Sequence, residues 1–178
     1  MPIRSLPLDR VYQLIEPGPV VLLATSRDGL PNVMTMSWHM MMEFTPPQIA
    51  CIVSNGNHSF AALKRTKECV IGIPPARFAK KVVAIGNCSG ADTDKFARFK
   101  LATQPAKKVA PPLLLDCLAN LECRVIDTRM VSAYCLFVLE VVQAWIDPDR
   151  KDAKTIHHQG WGKFAVDGRT ITLPSDKA

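Results

Sequence analysis

The chain has 178 residues, of which 48% are hydrophobic and 21% are charged, a balance typical of one folded domain with a sizeable core. These values exclude a disordered chain, and no apolar run approaches the length that crosses a bilayer. Residues 1–10 also lack the long apolar stretch of a signal peptide. We therefore expect a single domain over residues 1–178 that resides in the cytoplasm and has no membrane partner.

The formal net charge of +6 is concentrated in residues 77–108. This segment contains eight basic residues and only two acidic ones, Asp92 and Asp94. A basic segment suggests an anionic partner, such as a nucleotide phosphate, a nucleic acid or an acidic protein, although a solvated helix face is commoner. No zinc finger, helix-turn-helix or RNA-binding motif accompanies the charge, so we expect no nucleic acid partner. The basic residues are Arg77, Lys80, Lys81, Lys95, Arg98, Lys100, Lys107 and Lys108.

The six cysteines are scattered and form no Cys-x-x-Cys pair. The only near pair, Cys117 and Cys123, has no second cluster of ligands, which a zinc site needs. His157 and His158 are adjacent and would point in different directions on regular secondary structure. We therefore expect reduced, partly buried thiols and no metal site.

Apolar periodicity and turn signals predict short strands and helices in alternation. Asp28-Gly29 and Asp167-Gly168 each lie between two β-rich runs, which predicts two hairpins. Asp92 or Thr93 could cap the last helix. The predicted helices are 9–15, 59–67, 76–85 and 92–101. The predicted strands are 20–26, 32–42, 49–54, 68–73, 120–127, 132–145, 163–166 and 169–173.

Because strands outnumber helices and tight turns join several of them, antiparallel pairing is favoured over a βαβ sheet. The pattern predicts a mainly β fold, a small barrel with helices packed on its rim. The common phosphate-binding motifs GxGxxG and GxxxxGK[ST] are missing, and so is the GxSxG elbow. Any phosphate would have to be bound by isolated hydroxyls, amides and cations.

A series of short motifs occurs in a characteristic order between about residue 11 and residue 146. They are Glu16–Thr25, Asn32–Trp38, Phe44–Pro47, His58–Phe60, Ser89-Gly90, Asp94–Phe96, Leu121–Arg124 and Glu140–Val142. Their order and spacing resemble the flavin reductase-like, FMN-binding split-barrel family, and its flavoredoxin-like branch most closely. The resemblance implies a six-stranded antiparallel Greek-key split β-barrel with peripheral α-helices. It also implies a homodimer with FMN at the dimer interface.

In this family the FMN lies along the strand that corresponds to residues 32–38. Strand alternation would send the even-numbered residues to one side and Thr35 and Ser37 to the other. Edge amides would bond the rim of the flavin ring, small hydroxyls would let it approach, and Trp38 would offer a flat wall. The alternative is that the methionines and Trp38 fill the core. The candidate residues are Asn32, Met34, Thr35, Met36, Ser37 and Trp38.

The FMN phosphate needs donors and a cation. Ser54, Asn55, His58 and Ser59 lie where a strand ends and a helix begins, so free amides and the helix dipole favour an anion there. Lys95 falls in the Asp-Lys-Phe motif and is the expected charge partner. Ser59 could instead be only a helix cap, and Lys95 a surface lysine.

Four further residues are candidates for contact with the cofactor. Cys88 and Ser89 lie in a Gly-rich turn that could wrap the ring or the ribityl chain, although a structural role for Cys88 is as good an explanation. Tyr134, expected at the start of a strand, corresponds to a position near the flavin in relatives. Trp161 could cover a flavin face across the dimer, or close a core instead.

The resemblance implies an NAD(P)H:flavin oxidoreductase, in which a nicotinamide stacks on FMN and delivers hydride to it. No catalytic residue is assigned, because the cofactor carries the chemistry. One alternative is a flavoredoxin-like electron carrier that docks a redox protein through residues 77–108 and does not use NAD(P)H directly. Another is a split barrel that has lost its flavin.

Overall fold

The computed structural model describes residues 3–15, 17–150 and 154–174. Within these residues the helices are α1 (Tyr12–Ile15), α2 (His58–Thr66), α3 (Ala79–Gly86), α4 (Lys95–Phe99) and α5 (Val131–Tyr134). The strands are β1 (Arg4–Leu6), β2 (Val21–Arg27), β3 (Leu30–Met36), β4 (His39–Phe44), β5 (Pro47–Ile52), β6 (Glu68–Ile73), β7 (Thr103–Gln104), β8 (Leu113–Leu114), β9 (Ala119–Asp127), β10 (Leu136–Ile146), β11 (Ile156–His158) and β12 (Phe164–Val166).

Eight strands form one antiparallel sheet in the order β3-β2-β6-β9-β10-β5-β4, with β1 added beside β10. The 11 residues of β10 pair with β9 along one edge and with β5 and β1 along the other. The end strands β3 and β4 are separated in the chain only by Ser37 and Trp38. The sheet must therefore curl until its two ends meet at a seam, because two residues span only a short distance.

This architecture confirms the predicted mainly β, antiparallel split barrel with peripheral helices. The predicted strand count of six was wrong, since the main sheet has eight strands. The barrel interior is apolar, with Leu23, Ile71 and Leu139 fully buried in it. The opposite face of β2 is buried too, because Leu22 belongs to an apolar cluster that includes Ile85 of α3. Helix α3 is therefore held on the outside of the barrel, next to β3.

The segment 32–42 is two strands rather than the single one predicted. The chain turns at Ser37 and Trp38, which include neither glycine nor proline and so give no turn signal in the sequence. Long-range bonds hold the corner: the Ile52 amide donates to the Trp38 carbonyl at 3.0 Å, and His39 Nε2 lies 2.7 Å from the Pro19 carbonyl oxygen.

The strand predicted over 132–145 starts later, because residues 131–134 form the helical turn α5. Tyr134 therefore lies in a helical turn. The prediction that it lies at the start of a strand was wrong. The amides of Tyr134 and Cys135 donate to the carbonyls of Met130 and Val131, and a left-handed φ of 56° at Cys135 ends the turn. Local hydrogen bonds here outweigh the β propensity of the side chains.

The C-terminal hairpin also differs from the prediction. Strand β12 pairs with β11, and residues 169–173 form no strand. The Asp167 carboxylate accepts hydrogen bonds from the amide and hydroxyl of Thr155 and contacts His157 Nε2, so it joins β11 to β12 instead of turning the chain.

Two capping and turn predictions have different outcomes. Asp28 and Gly29 have φ values of 53° and 80° and join β2 to β3 with Arg27 opposite Leu30, so the first predicted hairpin is confirmed. Helix α4 begins after the predicted caps Asp92 and Thr93. Its cap is Asp94, whose Oδ1 accepts from the Ala97 amide at 3.0 Å.

In the part of the chain that the structure describes, no helix has the length and apolar character to cross a bilayer.

A fully buried carboxylate on β9 holds the segment after β7 against the sheet. Glu122 Oε1 accepts from the Trp145 indole at 2.7 Å and from the Lys107 amide at 3.0 Å, and Oε2 accepts from the Lys108 amide. Lys107 and Lys108 thus contribute backbone donors here and lie outside α3 and α4.

We predict that Glu122→Gln lowers the free energy of unfolding by about 1–3 kcal/mol, because an amide NH₂ would face buried donors. The exposed Glu43 provides a matched control, and Glu43→Gln should change stability by less than about 0.5 kcal/mol. Urea denaturation of both variants checks this. Equal losses in the two variants would contradict the structural role of Glu122.

Candidate functional site

A cleft of about 300 Å³ lies where β3, the first turn of α2 and residues 86–95 meet. Because β3 is an end strand of the sheet, one row of its backbone groups is free to bond a ligand. Eight of the predicted site residues line this cleft: Asn32, Met34, Thr35, His58, Ser59, Cys88, Ser89 and Lys95. Five further residues that line it were not predicted: Gly56, Asn57, Gly86, Asn87 and Gly90.

Lys95 places a cation in the wall of the cleft. The residue is only 4% exposed, and Nζ donates to the Ile85 carbonyl at 3.0 Å. Burial lowers the pKa of Lys95, while the neighbouring Cys88 acts in the opposite direction. An ammonium group carries three protons, and the Ile85 carbonyl accepts one of them. A buried cation of this kind is stabilised by an anion that enters the cleft.

The first turn of α2 forms a second wall. Its N-cap residue, Asn57, makes no side-chain cap hydrogen bond, and the helix has nine residues. Free amides and the positive end of the helix dipole therefore remain available to an anion. Ser59 is fully buried, and its Oγ accepts from Asn32 Nδ2 at 2.8 Å, whereas the side chain of His58 is exposed.

Glycines bring residues 86–95 close to β3. A Cβ atom at Gly90 would lie 2.1 Å from Asn32 Oδ1, which is far inside contact distance. A Cβ atom at Gly86 would lie 3.3 Å from Thr35 Cβ, and the Thr35 hydroxyl donates to the Val82 carbonyl at 2.6 Å. Asn32 thus contacts both the α2 side and the Gly90 side of the cleft, and fixes their separation.

The turn that carries Cys88 and Ser89 is closed by local bonds. Cys88 Sγ lies 3.6 Å from the Ala84 carbonyl oxygen and 3.7 Å from that of Ile85. Ser89 Oγ accepts from the Ala91 amide at 3.1 Å.

Among the described residues, no group of three or more His, Cys, Asp or Glu side chains could hold a metal ion.

Side chains alternate along β3 as predicted, yet residues of both faces reach the cleft. Met34 and Met36 point to the barrel core, and Thr35 points to α3, yet Met34 and Thr35 both line the cleft. The cleft wraps round the edge of the end strand, so residues of both faces reach it. Met36 is buried in the core and does not line the cleft.

The structure places the other predicted residues outside the cleft wall. Ser54 and Asn55 lie in the exposed turn before α2, where Ser54 Oγ is 3.4 Å from the Gly56 amide. Ser37 lies at the corner between β3 and β4. The remaining three are exposed aromatic residues at separate points on the surface: Trp38, Tyr134 and Trp161.

Four exposed apolar side chains lie at the corner and on β4, where a β-bulge between Met41 and Glu43 interrupts the alternation of the strand. We call Trp38, Met40, Met42 and Phe44 the β4 face; each is between 47% and 69% exposed. Phe44 makes an edge-to-face contact with Tyr12, with ring centroids 4.9 Å apart.

Comparison with known proteins assigns the chain to a family. A family model described as a flavin reductase like domain matches residues 15–163, most of the chain. The protein therefore belongs to the flavin reductase-like family, which confirms the resemblance seen in its motifs.

Individual relatives agree with this assignment. An uncharacterized protein of Archaeoglobus fulgidus is 30% identical over 147 residues, 83% of each chain. The crystal structure of an FMN-binding domain of a flavin reductases-like enzyme from Shewanella baltica has a TM-score of 0.91 at 23% identity, covering 97% of this chain and 98% of that one. Flavoredoxin of Desulfovibrio vulgaris (Miyazaki F) has a TM-score of 0.80 at 20% identity, covering 90% and 92%. At such identities these two structures establish the shared fold.

We predict that Gly90→Ala destabilises the protein by about 1–3 kcal/mol, because the new Cβ atom would displace Asn32. Gly56→Ala is the matched control in the same cleft, since its Cβ atom would meet only Ser54 Oγ at 3.8 Å. Urea denaturation measures both variants. A Gly90→Ala variant as stable as Gly56→Ala would show that Asn32 and Gly90 are not in close contact.

Proposed function

We propose that this protein binds FMN and acts as an NAD(P)H-dependent, flavin reductase-like oxidoreductase. The observation that carries the proposal is the pairing, in one cleft, of the nearly buried Lys95 ammonium with the uncapped first turn of α2. A cation, free helix amides and a serine hydroxyl together suit a phosphate monoester. The membership of the chain in the flavin reductase-like family supports a flavin as the group that bears this phosphate.

The residues of the cleft fit this ligand in a specific way. Lys95, Ser59 and the first amides of α2 would hold the phosphate, and the turn at Cys88 and Ser89 would cover the ribityl chain. A volume of about 300 Å³ is at the lower end for ligand pockets, so the ring would extend beyond the cleft along the edge of β3. There the free backbone groups of β3 would hydrogen-bond its polar rim.

Bound flavin supplies the hydride and electron transfer, so the protein has to bind and orient it and to limit the access of water. In this proposal Lys95 and Ser59 fix the phosphate end, and Asn32 keeps the two walls of the cleft at a constant separation. No described side chain is assigned a proton-transfer role. A nicotinamide would approach the side of the ring that the protein leaves open.

The proposal includes a homodimer. The β4 face begins at Trp38, at the end of β3 along which the ring would lie. A second copy that covers this face would bury its apolar side chains and complete the wall around the ring.

An electron carrier that docks an acidic redox protein is the second candidate. Arg77, Lys80, Arg98 and Lys100 are exposed on or beside α3 and α4, which adjoin the cleft. Such a cluster would steer an acidic partner towards the flavin. The flavoredoxin of similar fold is consistent with this role.

An anaerobic titration tests the proposal. Protein mixed with FMN and freed of excess should be yellow, and NADH or NADPH should bleach the visible flavin absorption, because hydride transfer reduces the ring. Colour that neither nicotinamide bleaches, but that a reduced ferredoxin does, would select the electron carrier. Protein that stays colourless after it is mixed with FMN would contradict flavin binding itself.

We predict that Lys95→Ala weakens FMN binding by about 10- to 100-fold, the loss expected for a charge-assisted contact to a phosphate. Lys107→Ala is the control, because its exposed side chain is removed while its backbone bond to Glu122 is kept. Fluorescence titration of FMN measures both variants. A third variant, Lys95→Met, removes the charge but keeps the packing of the long side chain. If Lys95→Ala and Lys107→Ala had equal effects, the phosphate assignment would be wrong.

A further inference from the structure

The Ser59 hydroxyl has its hydrogen-bonding role fixed by Asn32. The amide nitrogen Nδ2 of Asn32 donates to Ser59 Oγ at 2.8 Å, so Ser59 is the acceptor in this bond. A hydroxyl has one proton, and that of Ser59 therefore remains to be donated elsewhere. Ser59 is fully buried, and among the described residues no acceptor for this proton lies within reach. Because a buried donor without a partner is costly, the proton is available to a ligand in the cleft that Ser59 lines.

The side chain of Asn32 is enclosed by uncharged neighbours. In the strand register it lies opposite Thr25 of β2, whose fully buried hydroxyl has no hydrogen-bond partner in the part of the chain that the structure describes. Gly90 lies against the amide oxygen, where a Cβ atom would have no room. Since neither neighbour is an ion, neither competes with Ser59 for the Asn32 amide group.

The three groups proposed to hold the phosphate are all hydrogen-bond donors. The Lys95 ammonium has three protons and gives one of them to the Ile85 carbonyl. The first amides of α2 have no intrahelical acceptor, and the Asn57 side chain does not cap the helix. The third donor is the Ser59 hydroxyl, whose oxygen is occupied by Asn32. None of these groups is free to accept the proton of a P–OH group.

We propose that Asn32 determines specificity, by making the cleft select the doubly ionised phosphate of a monoester over its singly protonated form. The inference rests on the proposed function, because the phosphate is that of the proposed FMN. A dianion presents only acceptors to the three donors, whereas a P–OH group would place its proton against one of them. Asn32 acts through Ser59 and is a positioning residue, since it directs the hydroxyl proton and has no need to touch the phosphate.

This selection gives the binding of FMN a pH dependence of definite sign. A phosphate monoester has a second pKa of about 6, so a change from about pH 8 to about pH 5 removes roughly nine-tenths of the dianion. Three groups that can titrate line the cleft, His58, Cys88 and Lys95, and the loop beside it carries Asp92 and Asp94. Each of these groups becomes more positive or less negative when it takes up a proton, which would strengthen the binding of an anion. Weaker binding at low pH therefore arises from the ligand and not from the protein.

Fluorescence titrations with FMN and with riboflavin, at about pH 8 and about pH 5, test the inference. Riboflavin has the same ring without the phosphate, so the ratio of its Kd to that of FMN measures the phosphate contribution alone. In the wild type this ratio should fall about tenfold at the lower pH, as the dianion fraction does.

The variant Asn32→Asp reverses the role of the hydroxyl. Its carboxylate would accept the Ser59 proton and leave Ser59 Oγ as an acceptor towards the phosphate. The ratio should then be about tenfold lower than in the wild type at the higher pH, and should change by less than about threefold between the two pH values.

A double-mutant cycle separates positioning from a general structural role. Asn32→Leu and Ser59→Ala should each lower the ratio by about three- to tenfold, and the double variant should lower it no further than Ser59→Ala does, because Asn32 acts through the hydroxyl. Thr25→Val is the matched control for a polar group lost beside Asn32, and it should keep the wild-type ratio at both pH values.

Three results would each overturn the inference while FMN binding stands. They are a wild-type ratio that does not change with pH, an Asn32→Asp variant with the wild-type pH profile, and additive losses in the double variant. Equal Kd values of the wild type for riboflavin and FMN would instead overturn the phosphate site of the proposed function, and this inference with it. Wild-type protein that binds neither flavin would overturn flavin binding itself.

Discussion

An ammonium group removed from water determines what the cleft of this protein can bind. Lys95 reaches its position because Asp94 caps the helix one residue earlier and so fixes where α4 begins. A buried cation with a single carbonyl partner is costly, since the effective penalty for taking a charge out of water is several kcal/mol. An anion lowers that penalty more than any neutral group. The free amides of α2 favour the same kind of ligand, so both walls of the cleft favour an anion.

Much of the fold could be predicted because it depends on local signals. The Asp28-Gly29 turn requires positive φ at both residues, and β6 has the bounds expected from its apolar run. The misplaced elements depend on distant contacts. The corner at residues 37–38 is held by hydrogen bonds that involve Pro19 and Ile52. The pairing of β11 with β12 is supported by hydrogen bonds to Asp167. Periodicity carries no information about such partners, so one long strand and a wrong hairpin were predicted there.

The site could be predicted where a motif fixed a loop, and not where three-dimensional contacts decide. The Asp-Lys-Phe motif led to Lys95, and the residues that open α2 lie in the cleft with it. Gly90 was missed because only the folded chain brings Asn32 against it. That contact, which leaves no room for a side chain at residue 90, is not visible in the sequence. The exposed Trp38 and Trp161 lie outside the cleft, and their roles depend on what covers the surface there. The family itself was evident from the order of short motifs, which the family match confirms.

A crystal structure of the protein with FMN tests the central claim most directly. We predict that the phosphate lies against the first turn of α2 and within hydrogen-bond distance of Lys95 Nζ. A phosphate bound elsewhere, with Lys95 still bonded only to the Ile85 carbonyl, would contradict it.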